Sequence, residues 1–425
     1  MGLLKNSLVA AGVSLAMGIS LMATPVLAGH HHKNFHGKAK NIIFMVPDGQ
    51  GLSNVTAARI FKNGVNGDPL YQETLENIGY QRTHSANATV TDSAAAASAW
   101  AIGQKVINNE ISCHAGENGE CLDAVPTILE LAAAKGKATG LVATSQISHA
   151  TPGAFGAHVV SRYCGTEIAR QYIEEANVDV ILGGGVYGTR AGKGCEAYAE
   201  SFNASDNRQY IIDKALTGGY TFVSDEAGLN AAASNGSAKV LGMFEQYGIG
   251  EGKTPEMFWV DKTAAYPEGE PTLAEMTAAA LDILEKNNKG LFLMVEGSQI
   301  DWADHTNDDL GGVGSNSDSA LDYQIAESLG FDAAVKVVLD WVNAKADRRN
   351  HTLVVVVADH DTGGFAINGP GNALTQAGEK VDAGWTSGDH TAVDTIIYSQ
   401  GPGSEKLNAA LDNTDLYYVM ESVLH

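Results

Sequence analysis

The chain has 425 residues, 44% of them hydrophobic, and a formal net charge of -23 from 50 acidic and 27 basic side chains. That length allows one large core or two to three domains, and the acidic balance excludes a nucleic-acid-binding surface, which needs a basic face. An anionic substrate would be repelled by such a chain unless its pocket were locally positive, and bound metal ions can make it so.

The first 28 residues have the pattern of a secretory leader. Lys5 supplies the charged start, Leu8 to Ala23 is an uncharged run, and Val26-Leu27-Ala28 places small residues where a signal peptidase reads. The run is short and interrupted by glycine, which argues against a membrane anchor. The expected mature chain, 29–425, begins near Gly29 and is exported, to the periplasm or beyond the cell. Its four cysteines can then form disulfides. Three pairings are open. The local one, Cys113 with Cys121 and Cys164 with Cys195, is expected because each bridge encloses a polar, glycine-containing loop. None lies in a CxxC pair, which argues against a zinc–thiolate site.

Asn41 to Val46 is the first of several short apolar runs and ends in Pro-Asp-Gly. Val90-Thr-Asp-Ser-Ala-Ala-Ala-Ala-Ser-Ala-Trp100 reads as a helix capped by Asp92 or Ser93, because such side chains accept the orphan N–H groups of a first turn. The same tip carries partial positive charge, which would also suit Ser93 as a nucleophile toward an anionic centre. A helical pattern over Ala124 to Lys135 leads into the run Thr139 to Thr144, and Val178 to Leu182 ends in three glycines. Gly183 to Gly188 satisfies GxGxxG, but without a clear helix after it we read a turn. Residues 198–270 look like a less regular insertion.

Thr272 to Lys286 is a helix opened by the capping box of Thr272 and Glu275. The run Leu291 to Val295, a long helix over Asp318 to Ala344, and the runs Thr352 to Val357 and Thr395 to Tyr398 complete the alternation. Continuous apolar runs are strands buried on both faces. Alternation with helices gives a layered α/β fold with a mostly parallel sheet, whose ligands gather at the carboxyl ends of the strands.

Chemistry-bearing residues stand at those ends. Asp48 follows the first strand and Glu296 another. Asp301 and His305, four apart, share a helical face; Asp359 and His360 follow the most apolar strand, and His390 precedes the last. Singly, Asp48 is a turn residue, His305 a cap and His360 a core histidine. Together, three imidazoles and several carboxylates suit divalent metals, with zinc favoured. The acidic stretch DWADHTNDDLGG from Asp301 to Gly312 is no EF-hand, lacking Gly at its sixth and Glu at its twelfth place.

These stretches also carry a family resemblance. VPDGQG (Val46 to Gly51), VTDSAAAASAW, SHATPGAF (Ser148 to Phe155), HVVSRYC (His158 to Cys164), VEGSQIDWADH (Val295 to His305), VADHDTGGF (Val357 to Phe365) and SGDHTA (Ser387 to Ala392) resemble the alkaline phosphatases, in the family's order and across most of the mature chain. The resemblance implies a three-layer α/β fold: a large, mostly parallel central sheet flanked by helices on both faces, in a single catalytic domain. It implies hydrolysis of small phosphate monoesters at alkaline pH, with inorganic phosphate as a product inhibitor, and it favours a homodimer over a monomer.

By the same resemblance Ser93 is the nucleophile that becomes phosphorylated, and Arg162 clamps the phosphoryl oxygens with Asp92 orienting it. Asp301, His305 and His390 hold one zinc; Asp48, Asp359 and His360 hold a second; Asp48, Thr151 and Glu296 hold a magnesium. Three positions depart from the common family pattern. Pro47 and Gln50 stand where Gly and Met are usual, beside the retained Asp48. His149 replaces an Asp of some members, so a role through water is expected. Trp302 stands near the phosphate where others carry Lys or His; it brings one N–H and no charge, so weaker phosphate holding is expected. The competing readings are a phosphodiesterase of the same superfamily and a non-catalytic exported metal-binding protein. Ser93 with Thr151, Glu296 and Arg162 argues against both.

Overall fold

Runs of Ile, Val, Leu and Phe without polar alternation need cover on both faces, and all six expected strands lie in one ten-stranded sheet. The structure is a computed structural model that describes residues 37–117, 119–122, 124–186, 194–196, 207–244, 269–307, 317–368 and 374–425. In chain order the strands are β1 (Asn41–Pro47), β2 (Asn77–Arg82), β3 (Ala138–Gln146), β4 (Val180–Gly184), β5 (Thr221–Val223), β6 (Val240–Met243), β7 (Leu291–Gly297), β8 (Thr352–Val357), β9 (Asp361–Thr362), β10 (Ala366–Asn368), β11 (Asp382–Gly384), β12 (His390–Thr391), β13 (Thr395–Gln400) and β14 (Ala410–Asp412). The helices are α1 (Leu52–Asn63), α2 (Ser93–Ile102), α3 (Ile128–Ala134), α4 (Ala150–Gly156), α5 (Gly165–Glu174), α6 (Asn207–Thr217), α7 (Glu226–Asn235), α8 (Leu273–Leu284), α9 (Gln299–His305), α10 (Ser317–Asn343), α11 (Ala346–His351) and α12 (Asp415–Val423).

The sheet order is β14-β2-β13-β8-β1-β7-β3-β4-β6-β5. Every pairing is parallel except those of β13, which runs against β8 and β2. Successive residues of β1 feed opposite cores, as a period of two requires. Ile42, Phe44 and Val46 join one cluster with residues of α2, α4 and α12, whereas Ile43 and Met45 join another with α8 and α10. Helices therefore cover both faces, and the architecture is the expected three-layer one.

Local chemistry sets the element ends. Glu275 N–H donates to Thr272 Oγ1 and Thr272 N–H to Glu275 Oε2, the expected capping box of α8. The helix expected from Ala124 starts at Ile128 instead, because Thr127 is its N-cap and Pro126 holds Val125 out of the helical region. Strand β2 escapes a periodicity reading. Its centre is Gly79, where a Cβ would stand 2.0 Å from the Leu407 carbonyl oxygen.

Within the stretch marked as an insertion, residues 207–244 carry α6, β5, α7 and β6 and extend the parallel sheet. Residues 198–206 and 245–268 of that stretch, and the expected leader 1–28, lie outside the described residues. No described helix is long and apolar enough to cross a membrane. Both expected disulfides form, Cys113–Cys121 and Cys164–Cys195, with Cα separations of 5.5 Å. The second closes the longer loop, so replacing Cys164 and Cys195 by Ala should cost about 3–4 kcal/mol, read as a lower urea midpoint; an unchanged midpoint would contradict it.

Candidate active site

A parallel sheet gathers its carboxyl ends on one edge, and the antiparallel β13 delivers its preceding loop to that same edge. Asp48 follows β1, Glu296 lies at the end of β7, α9 begins two residues beyond β7, and Asp359 and His360 follow β8. His390 opens β12 just before β13 and pairs across to Thr362 of β9. The antiparallel strand thus brings a histidine 30 residues downstream next to His360; their rings stack at 3.5 Å. Close packing at this edge needs Gly49, whose φ is +74° and whose Cβ would stand 2.7 Å from the Asp301 Cα.

Three groups of possible ligands form here among the described residues: Asp301, His305 and His390; Asp48, Asp359 and His360; and Asp48, His149 and Glu296, each with its ligand atoms within 4.8 Å of one another. In the first, His305 Nε2 and His390 Nε2 lie 3.3 and 3.5 Å from Asp301 Oδ1 and 3.0 Å from each other. His305 Nδ1 donates to the Gly388 carbonyl and His390 Nδ1 to that of Thr91. Those outer bonds fix the tautomers and leave both Nε2 lone pairs facing inward, as at metal centres. Burial, then His360, pushes His390 down to about 4, so its ring is neutral.

In the second group His360 Nε2 lies 3.0 Å from Asp359 Oδ2 and 3.7 Å from Asp48 Oδ1. Thr362 Oγ1 donates to Asp301, so its oxygen accepts from His360 Nδ1 at 3.2 Å. One hydroxyl therefore orients ligands of two neighbouring groups. Ser93 Oγ, at the first residue of α2, lies 3.2 Å from the same His360 Nε2. The serine is 2% exposed.

The third group is an electrostatic misfit for protein alone. Burial, then Asp359, raises Asp48 well above the usual carboxylate range, and burial raises Glu296 to about 7. Both oxygens of Asp48 and Oε1 of Glu296 are buried without a hydrogen-bond donor among the described residues. Asp359 is held low because His360 outweighs its burial. Buried acceptors without donors are costly, and oxygen-rich sets of this kind fit divalent cations. Each of the three groups combines imidazole with carboxylate, a donor set that fits a divalent metal ion. Thr151, on α4, adds its hydroxyl beside Glu296.

Asp92 joins the serine to the arginine. Its Oδ1 accepts the Ala95 N–H as the N-cap of α2, and its Oδ2 accepts Arg162 Nη1 at 3.0 Å. Arg162 Nη2 reaches His149 Nε2 at 3.3 Å. Burial, then Arg162, pushes His149 down to about 3, so Nε2 is the acceptor and Nδ1 carries the proton. One ring nitrogen of His149 lies within 4.8 Å of carboxylate oxygens of Asp48 and Glu296. The Trp302 ring stands edge-on to it, centroids 5.9 Å apart.

All the residues singled out in the sequence for chemistry lie at this edge. The residues that hold them were not singled out. Asp304 is fully buried and accepts from Asn54 Nδ2 and Trp385 Nε1, both at 2.6 Å, tying α9 to α1 and to the loop before β12. Its place between Ala303 and His305 in the acidic stretch was the available signal. Thr362 had none beyond its neighbourhood to His360.

A sheet whose carboxyl edge collects carboxylates and imidazoles in threes around a buried serine defines a metal-dependent hydrolase. The family model described as "Alkaline phosphatase" matches residues 39–382. Alkaline phosphatase 4 of Bacillus subtilis is 32% identical over 92% of this chain and 90% of its own. Alkaline phosphatase of Escherichia coli K12 is 32% identical over 91% and 86%. Alkaline phosphatase from the Antarctic bacterium TAB5 superposes with a TM-score of 0.68 at 27% identity, over 91% of this chain and 98% of that one. A histidine-to-aspartate variant of the TAB5 enzyme, matched at 26% identity, 0.67 and the same coverage, has Mg bound in its M3 site. The chain belongs to the alkaline phosphatase family and is a phosphoric monoester hydrolase.

Proposed function

We propose that this protein hydrolyses phosphate monoesters through a phosphoserine on Ser93, with two zinc ions and one magnesium bound. Asp301, His305 and His390 would hold one zinc and Asp48, Asp359 and His360 the other. Asp48, Glu296 and Thr151 would hold magnesium, with His149 beside them. The observation that carries the reading is Ser93 Oγ, buried at a helix tip 3.2 Å from the Nε2 of His360. The Mg bound to the TAB5 variant supports the third site. When bound, the metals would neutralise charge on the reacting oxygens and favour an ionised serine.

The chain's own residues supply the rest. The α2 N-terminus offers partial positive charge to the phosphoryl group. Arg162, held by Asp92, presents its fork to two phosphoryl oxygens. Ser93 Oγ attacks phosphorus while the bond to the alcohol oxygen breaks, and the alcohol leaves with a proton from solvent. Water then attacks the phosphoserine, freeing Ser93 and inorganic phosphate. Free phosphate meets the same fork and acts as a product inhibitor. Arg162 with the cations answers the repulsion expected on a chain of net charge -23.

Export to the periplasm or beyond is supported by the leader pattern and by two disulfides, and the family resemblance supports a homodimer. The reading is tested with metal-stripped protein and a chromogenic monoester and its diester. Activity should vanish on stripping and return with zinc plus magnesium, with the monoester favoured by at least about a hundredfold. Dominant diester hydrolysis would indicate a phosphodiesterase, and no turnover with metals bound would indicate a binding protein. Trp302→Lys adds a charge at the mouth and should tighten phosphate inhibition by about tenfold, the equivalent of about 1.4 kcal/mol; unchanged inhibition would refute that role.

A further inference from the structure

The loop from Ile107 to Ala115 touches the site through its backbone. Asn109 has a φ of +78°, in the left-handed region that side chains other than Gly, Asn and Asp avoid. In that conformation its N–H donates to Asp92 Oδ2 at 3.0 Å, and its carbonyl accepts the Arg162 N–H at 2.7 Å. The same Asp92 oxygen accepts Arg162 Nη1. One peptide segment therefore grips Arg162 at its main chain and the partner of its guanidinium.

The loop is itself fastened. Asn108 Oδ1 accepts the Asp92 N–H at 3.3 Å, and Asn108 Nδ2 donates to the Val90 carbonyl. The buried Glu110 carboxylate accepts the N–H groups of Ile107 and Ala115, both at 2.9 Å. Ile111 pairs with Val159 three residues before Arg162, and Cys113 is bridged to Cys121. The Asn109 side chain makes no hydrogen bond of its own among the described residues, so the residue contributes its backbone conformation. None of these groups needs to touch substrate.

We infer that Asn109 is a positioning residue: its left-handed backbone sets the Asp92–Arg162 pair in the geometry that holds the phosphoryl group. The inference rests on the phosphate-clamping role of Arg162 proposed above. Replacing Asn109 by Val, whose branched Cβ resists positive φ, should rotate the segment and loosen both of its hydrogen bonds. Gly accepts the conformation freely and should preserve them.

The experiment compares metal-loaded wild type, Asn109→Val, Asn109→Gly and Arg162→Ala, with a chromogenic monoester as substrate and inorganic phosphate as the inhibitor, well below each unfolding midpoint. The expected result is that Asn109→Val raises KM and the phosphate inhibition constant by about tenfold with a smaller change in kcat, while Asn109→Gly stays near wild type. If Asn109→Val does not fold, Asn109→Ala is read in the same way. Wild-type inhibition in Asn109→Val, with Arg162→Ala weakened, would overturn the inference and leave the clamp standing. Equal impairment in Asn109→Gly would overturn the conformational argument. Unchanged inhibition in Arg162→Ala would overturn the clamp and the inference together.

Discussion

Ser93→Ala lowers kcat/KM for a phosphate monoester by on the order of 10⁴-fold or more, since a nucleophile removed from such a centre leaves only binding and electrostatics. The change is benign for the fold. Ser93 is the first residue of α2, its cap is Asp92, and the helix that follows is largely alanine; alanine has the best helix propensity. Metal content should remain that of wild type, because the substitution leaves every carboxylate and imidazole of the three ligand groups in place. Phosphate should still bind through Arg162. Activity is read with a chromogenic monoester and metal by elemental analysis on the same sample. Activity within about tenfold of wild type would remove the serine from the chemistry.

Asp48→Asn has the next largest effect, because Asp48 belongs to two ligand groups at once. A side chain in one group, such as His305, should cost one metal when lost; Asp48→Asn should weaken two. The expected loss of activity exceeds the roughly 10–100-fold typical of an outer-sphere partner. The metal-free proteins should show the opposite order of stability. Burial, then Asp359, Asp301 and Glu296, raises the folded pKa of Asp48 above its unfolded value. Ionising it therefore weakens the metal-free fold, and the loss sets in as pH rises above the ordinary carboxylate range. Asparagine carries no charge. Metal-free Asp48→Asn should thus melt above metal-free wild type at neutral and alkaline pH, with the gap closing in acid. Loaded with zinc and magnesium, wild type should melt higher. Calorimetry of the four samples across pH reads this, and a metal-free variant that melts below wild type at alkaline pH would contradict it.

The sheet was legible where burial erased polar alternation. β1, β7 and β8 are buried throughout and apolar except at Asn41, Glu296 and Thr352, so composition marked them. β2 alternates buried and exposed residues around a glycine, and β9, β10, β11, β12 and β14 are two or three residues long, below the reach of periodicity. The candidate ligands were legible because each stands at a strand end or on a helical face, where spacing has meaning. Their supports were not. Asp304 meets Asn54 across 250 positions, and Thr362 joins Asp301 and His360 only after β9 pairs with β12. Asn109 acts through a backbone torsion, for which a single Asn in a polar loop is a weak sign. The proximity of His149 to Asp48 and Glu296 depends on how α4 is seated, which sequence spacing does not encode.

The proposed reaction turns on a covalent phosphoryl group on Ser93. The most direct measurement is to quench metal-loaded protein in acid during turnover of a phosphate monoester, digest it, and locate phosphate by peptide mass mapping. A phosphoryl group is expected on the peptide containing Ser93, absent from metal-stripped protein and from Ser93→Ala. Full turnover without that adduct under any quench, or an adduct on a different residue, would contradict it.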